Sequence, residues 1–241
     1  MCKLKSIVTT PKVAVVANTE APAGKPILRT RRGQRTREAL VQAALEVFSR
    51  DGFFDAKITD MTAVAGVASG SFYTYFDSKL TIFHEVAERT LTASVETVHG
   101  EPAEVRDPVR DIYWANRAFM LEYQRQAGMM RAIEQATPFD THIQELRRRS
   151  WDVGVGRTVR RIRRLQQAGL ADADIDAEFT ASCLGAMVVR VCYASFVLSE
   201  IPVDVDRAAM TATRIWVKAI GLDPAPLDSL PQGTRPAPIP G

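Results

Sequence analysis

Cysteine is scarce in this chain, with three among 241 residues, Cys2, Cys183 and Cys192. An odd number without C-x-x-C spacing argues against a disulfide framework and a cysteine-rich zinc site, and points to a reducing, cytoplasmic setting. Cys183 and Cys192 stand out of phase on a helix, so they cannot bridge within it, and both are expected in the core. Histidine is equally rare. His84, His99 and His142 are isolated and form no H-x-x-x-H or H-E-x-x-H pair. A G-x-S-x-G nucleophile elbow and a phosphate loop are both missing, and Gly154-Val155-Gly156 lacks a third glycine and a preceding strand. The chain reads as no enzyme, with no metal and no cofactor.

Charge of one sign is also missing. Against 31 Lys+Arg stand 28 Asp+Glu, and a net charge of +3 identifies no partner. Near the N-terminus the apolar run Val13 to Ala17 is too short and too close to Pro11 and Lys12 for a secretory signal. One longer apolar run exists, Phe179 to Leu198, approaching the roughly 20 residues of a bilayer span. It carries Arg190 at its centre and has no companion, so it reads as a helix buried on every side rather than a membrane segment.

What is present is helical periodicity in an ordinary globular composition, 46% hydrophobic and 24% charged. Residues 1–32 lack it and read as a flexible basic arm. Its end begins a cluster of six cations in thirteen residues, Lys25, Arg29, Arg31, Arg32, Arg35 and Arg37. Residues 223–241 hold six of the thirteen prolines and read as a Pro-rich, disordered tail. Between them Leu40, Val41, Ala44, Leu45, Val47 and Phe48 recur at helical spacing, with Gly52 as C-cap. A short helix is expected over Asp60 to Ala65 and another over Ser69 to Phe76. A longer one, capped by Asp77 or Ser78, runs to Val98. Further helices are expected over 107–126, 129–136, 139–168, 174–200 and 205–220, and no alternating strand pattern appears. The fold class is all-α, with about nine helices.

The two short helices, joined by Ala65-Gly66-Val67, have helix-turn-helix spacing, in which the second helix enters the major groove of DNA. Phe72 and Phe76 are four apart and face the core. Ser69, Ser71, Tyr73 and Thr74 are left outside, where hydroxyls bond phosphates or base edges. Tyr73 and Tyr75 alone would fit a small packed bundle equally well, and Lys79 alone would fit a solvated surface.

Phe48, Gly52, Phe53, Ala65-Gly66-Val67, Gly70, Tyr73, Phe76 and Ser78-Lys79 together resemble the N-terminal domain of the TetR family of transcriptional regulators, over about residues 33–85. The resemblance implies a three-helix DNA-binding domain at 33–80 and a larger helical domain at 81–222 that binds an effector and dimerises. It implies contacts to double-stranded DNA from Thr59, Ser69, Gly70, Ser71, Tyr73, Thr74, Tyr75 and Lys79, the last on phosphate, with Arg35 from the basic cluster. Three positions depart from the family pattern: Ala68 replaces a serine cap, Ser69 a lysine and Tyr75 a histidine.

After residue 100 the likeness lies only in helix layout. The apolar helix 179–198 can face the core on one side and a two-fold partner on the other. The resemblance implies a homodimer formed by the last two helices, and Ala186, Val189, Arg190, Tyr193 and Trp216 are assigned to that interface. Trp114, Phe119, Met120, Tyr123, Met129, Met130 and Met187 suggest a pocket for a hydrophobic small molecule, since methionine adapts to irregular apolar shapes, although such a stripe also fits plain core. Eight arginines lie between Arg147 and Arg164. They read as a solvated or salt-bridged face, or as a hold for an anionic effector headgroup near the loosening Gly154 and Gly156. The resulting expectation is a repressor released from a palindromic operator by a hydrophobic effector.

Overall fold

The structure is a computed structural model, and residues 30–96 and 107–225 are described. Most of the basic arm, with Lys25 and Arg29, lies outside the described residues, as do Cys2, His99 and the tail from 226. The described residues form nine α-helices and no strand. They are α1 (Arg31–Asp55), α2 (Ile58–Val64), α3 (Ser69–Tyr75), α4 (Lys79–Glu96), α5 (Pro108–Arg125), α6 (Ala127–Ala136), α7 (Thr141–Gln167), α8 (Ala177–Cys192) and α9 (Val205–Ala219). A π-helical turn, Tyr193–Val197, extends α8.

Helix starts follow a common chemistry. Asp107, Asp140, Asp176 and Asp204 each accept a backbone amide of the following turn, capping α5, α7, α8 and α9. Each such cap contributes about 1 kcal/mol. Ser78, one of the two expected caps of α4, accepts from the Thr81 amide at 3.1 Å. The N-terminal boundary differs from the expectation. Thr30 caps α1 by accepting from Gly33 at 3.1 Å, so Arg31 and Arg32 are helical and not part of an arm.

Leu40, Val41, Ala44, Val47 and Phe48 on α1 join Met61, Phe72, Phe76, Ile82 and Phe83 in a buried cluster. The rings of Phe48 and Phe83 meet edge to face, with centroids 4.8 Å apart. This cluster holds α2 and α3, which at seven residues each have no stability of their own. Gly66 turns the chain between them at φ 66°, a left-handed conformation that favours glycine.

The end of α1 joins α2 and α3 to the rest. Gly52 breaks the helix at φ 80°, and the freed amide of Phe53 donates to Oε1 of Gln135 on α6 at 2.8 Å. Arg131, also on α6, donates to the carbonyls of Ser49 and Arg50. Helix α1 therefore lies along α6, while α5 packs on α9, α7 on α8, and α4 on α7.

In the single chain α8 corrects one expectation, the core position of Cys183. The outer side of the helix is open: Phe179 is 71% exposed, and Cys183, Ala186 and Arg190 are exposed at the same helical spacing. The helix and its π-turn remain long and apolar enough to cross a membrane by length and composition, with a third of the window buried. Of the two cysteines, Cys192 is core and Cys183 is not. Burial pushes the Cys192 thiol up to about 12, so it is inert at neutral pH.

Candidate nucleic-acid interface and ligand cavity

Helix α3 divides by side. Phe72 is fully buried, whereas Ser69, Gly70, Tyr73 and Thr74 are exposed, Tyr73 by 53%. Tyr73 stands against the edge of Phe72, with ring centroids 5.4 Å apart, which limits its freedom while leaving its outer face in water. Thr59 is exposed on the first turn of α2, and Ser71 is half-buried. Tyr75 differs from the others because it packs partly against the core. Ala68 is the N-cap of α3 and gives no side-chain bond, and Ser69 does not replace it. Instead its hydroxyl lies 3.4 Å from that of Thr62 on α2.

Lys79 has a second employment. Its Nζ donates to the carbonyls of Phe53, Phe54 and Ala56 at 2.9, 3.0 and 3.0 Å. It also lies 5.1 Å from the centroid of the Phe53 ring. Burial pulls its ammonium below the ordinary lysine value, against the opposing pull of Asp55. A phosphate contact from Lys79 would therefore compete with these carbonyls. Arg37 is also committed, to Glu85 on α4 and the face of Phe76, whereas Arg31, Arg32 and Arg35 are exposed.

The second feature is a cavity of about 760 Å³ among α4 to α9, a size typical of small-molecule sites. Phe119, Tyr123 and Met130 line it, as the sequence suggested, together with Ile133, Val155 and Val188. The other suggested residues do not. Met120 and Met129 are packed in the core, Met187 packs against it, and Trp114 is exposed on α5, where Arg117 covers its ring. Burial raises the Tyr123 phenol well above the ordinary tyrosine value, so it remains a neutral hydroxyl.

Trp216 and Val189, assigned from sequence to a dimer interface, line the cavity. Trp216 is 9% exposed, and its indole Nε1 is buried without a hydrogen-bond partner. Ala186 and Arg190 do point outward, Tyr193 is half-buried, and Arg190 lies over its ring at 5.4 Å. The sequence reading missed Trp151 and Asn116 as lining residues and Phe179 and Ile215 as exposed apolar ones. A polar asparagine in the apolar stripe of α5 was the available signal.

The arginines are in part the salt-bridged face that was expected, and five of them also reach the cavity. These five are Arg147, Arg148, Arg157, Arg160 and Arg161. Arg147 pairs with Glu134 at 2.7 Å, and Arg148 with Glu145 and Asp152. Arg157 donates to the carbonyl of Val95 in the last described turn of α4.

Comparison with known proteins adds three findings. Residues 40–86 match the model of bacterial regulatory proteins of the tetR family, and residues 112–221 match the C-terminal domain of the transcriptional regulator EthR. The HTH-type transcriptional regulator YvdT of Bacillus subtilis is 41% identical over 63 residues, which are 26% of this chain and only 32% of that protein. EthR of Mycobacterium tuberculosis is 25% identical over 202 residues, 78% of this chain and 92% of its own. Among solved structures, SmeT, the repressor of the Stenotrophomonas maltophilia multidrug efflux pump SmeDEF, shares the fold. Its TM-score is 0.64 at 22% identity, over 86% of this chain and 100% of SmeT.

Proposed function

The chain belongs to the TetR family of transcriptional regulators, whose members are not enzymes, and we propose that it binds a palindromic operator as a homodimer and represses until a hydrophobic small molecule enters the cavity. Residues 33–80 bind DNA and 81–222 sense and pair, in a cytoplasmic protein. One observation carries this reading. Helix α4 begins at Lys79, tied to the end of α1 beside the helix-turn-helix, and its other end supplies Leu91, Ser94 and Val95 to the cavity wall. A shift of α4 on filling the cavity is thereby delivered to the helices that meet DNA.

The DNA face is Ser69, Gly70, Ser71, Tyr73 and Thr74 of α3 with Thr59 of α2. Exposed Arg31, Arg32 and Arg35 supply sequence-independent attraction to phosphates. The pairing face is the open side of α8, Phe179, Cys183, Ala186 and Arg190, with Ile215 of the adjacent α9. A two-fold axis there sets two copies of α3 on half-sites about 34–36 Å apart. Coupling between cavity and operator of about 1–3 kcal/mol weakens DNA binding 5–150-fold.

The test is mobility-shift binding to DNA flanking the coding region and to selected genomic fragments, at fixed salt with competitor DNA. Wild type is expected to bind one palindromic segment saturably, and Tyr73→Ala is expected to lose it. Failure to retain any specific fragment would overturn the reading.

A further inference from the structure

The net charge of +3 hides a strong asymmetry. Nine of the 31 Lys+Arg stand in the first 37 residues, against one acid, Glu20, so the rest of the chain carries more acid than base. Charge of one sign concentrated at one end is an electrostatic footprint for a polyanion. The last members of this run are on a helix. Arg31, Arg32 and Arg35 lie on one side of α1, at positions i, i+1 and i+4, and all three are exposed. No acid stands in the first turn, and among the described residues no carboxylate pairs with the three. Arginines there oppose the positive end of the α1 dipole, so the fold itself gains nothing from them.

Arg37 fixes where this side of α1 sits. Its guanidinium lies 4.8 Å from the centroid of the Phe76 ring, at the end of α3, and donates to Glu85 of α4. The three arginines therefore stand within about 9 Å, along the α1 axis, of a contact with the end of α3. In a helix-turn-helix the first helix crosses the DNA backbone, and the minor groove lies across that backbone from the major groove. Upstream, Lys25 and Arg29 continue the positive run without an acid, and residues 21–29 can span at most about 30 Å.

We propose that the start of α1 makes a second DNA contact, in the minor groove beside the major groove that α3 enters. Arg31, Arg32 and Arg35 hold the phosphates at its edge, and Arg29 and Lys25 enter the groove. The minor groove shows only acceptors at A·T pairs, whereas G·C adds the amino group of guanine, a donor that repels another donor. A narrow A·T groove also concentrates the negative potential that draws arginine in. The contact thereby adds an A·T preference outside the bases that α3 reads. The inference rests on the chain binding DNA, but it requires no palindrome, dimer or effector.

The full-length protein is titrated with fluorescent poly(dA-dT), poly(dI-dC) and poly(dG-dC) duplexes over a range of moderate salt, read by anisotropy. Inosine keeps the major-groove edge of guanine and lacks its minor-groove amino group, so it separates the two grooves. Poly(dI-dC) is expected to bind like poly(dA-dT) and more tightly than poly(dG-dC). Lys25→Gln with Arg29→Gln should abolish that preference. Arg31→Gln, Arg32→Gln and Arg35→Gln together should flatten the slope of log affinity against log salt by about 0.9 for each arginine withdrawn from a phosphate. The corresponding Lys replacements should keep the slope, and all these variants should melt with wild type, since none of the three helix arginines is buried. Equal binding of poly(dI-dC) and poly(dG-dC), a preference that survives the Lys25 and Arg29 replacements, or an unchanged salt slope overturns the proposal. Operator binding is measured in parallel, with Tyr73→Ala as the second variant. Specific operator binding without groove preference defeats this inference and leaves the operator reading standing. A groove preference that Tyr73→Ala retains, with no specific fragment bound by wild type, does the reverse.

Discussion

His84 on α4 donates from Nε2 to Oδ2 of Asp140, the N-cap of α7, at 2.7 Å. Helix α4 is thus latched to the beginning of the helix that crosses the cavity, while Arg157 ties the two together at the other end of α4. His142 completes the group, its ring centroid 4.3 Å from that of His84.

The contribution of His142 to the folded state is expected to be lost in mild acid. Burial, and then the neighbouring His84, push His142 below the ordinary histidine value, with Arg149 adding and Asp140 and Glu88 opposing. Burial alone would raise Asp140, but the bond from His84 and the amides of Ile143 and His142 hold its carboxyl low. His142 binds a proton more weakly folded than unfolded. Its contribution is therefore full above the unfolded value of about 6.5 and is lost as pH falls below it. The Asp140 contribution holds above the unfolded carboxylate value of about 3.9 and disappears as pH falls through its lower folded value. The melting temperature should drop between about pH 7.5 and about pH 5.5, and His142→Gln should flatten that part of the profile. An identical profile in the variant would show that His142 does not govern it.

Lys79→Ala should destabilise the folded chain, because three carbonyls at the end of α1 lose a charged donor. Hydrogen bonds to charged groups contribute about 1.5–3 kcal/mol, and the partial exposure here places the loss toward the lower figure. Urea denaturation of the purified variant measures it. Weakened operator binding by this variant would then mix folding with contact, so Tyr73→Ala is the cleaner probe. A midpoint equal to wild type would mean that the three carbonyl bonds are dispensable.

A Cβ at Gly70 would meet no atom within 4 Å, so the folded chain itself does not require glycine there. Gly70→Ala should leave the melting temperature unchanged or raised, since alanine is favoured by up to about 1 kcal/mol in a helix interior. Operator affinity should nonetheless fall, because the proposed DNA face of α3 would carry an added methyl. Full affinity in the mobility-shift assay would remove Gly70 from the DNA face.

Gly128 presents the opposite case. A Cβ there would lie 2.3 Å from the backbone oxygen of Ser49, a contact that cannot be relieved by turning a side chain. Gly128→Ala should cost about 1–3 kcal/mol as an overpacked contact and force α6 away from α1. Thermal denaturation reads the first effect, and an altered operator affinity in the surviving folded protein reads the second.

Ala186→Glu on the open side of α8 should yield a monomer. The substitution places a charge beside Phe179 and Cys183 without touching the buried side of the helix. Sedimentation of wild type and variant across concentration decides it, and a variant that still sediments as a dimer would move the pairing face elsewhere.

The helix-turn-helix was legible because its information is local. Phe48 follows Leu40, Val41 and Ala44 at helical spacing, Phe72 and Phe76 are four apart, and Gly66 marks the turn with the backbone freedom that the turn needs. Sidedness followed from the same spacing, which left Tyr73 and Thr74 outside once Phe72 was inside. Beyond α4 the sequence determined that long apolar helices must pack, but not against what. Trp216 and Ala186 both read as candidates for a dimer, yet one faces a cavity and the other open surface, since periodicity says which side chains leave water and not what covers them. Met120 and Met130 are chemically alike, and only the placement of α5 and α6 sends one into the core and the other to the cavity. The arginines of α7 looked like a solvated face because charge normally seeks water. The tertiary structure kept that face for Arg149 and Arg163 and, by leaving the middle of the helix without core beneath it, also brought five arginines to the cavity, while the positive charge of Lys79 was turned inward by carbonyls that come from another helix.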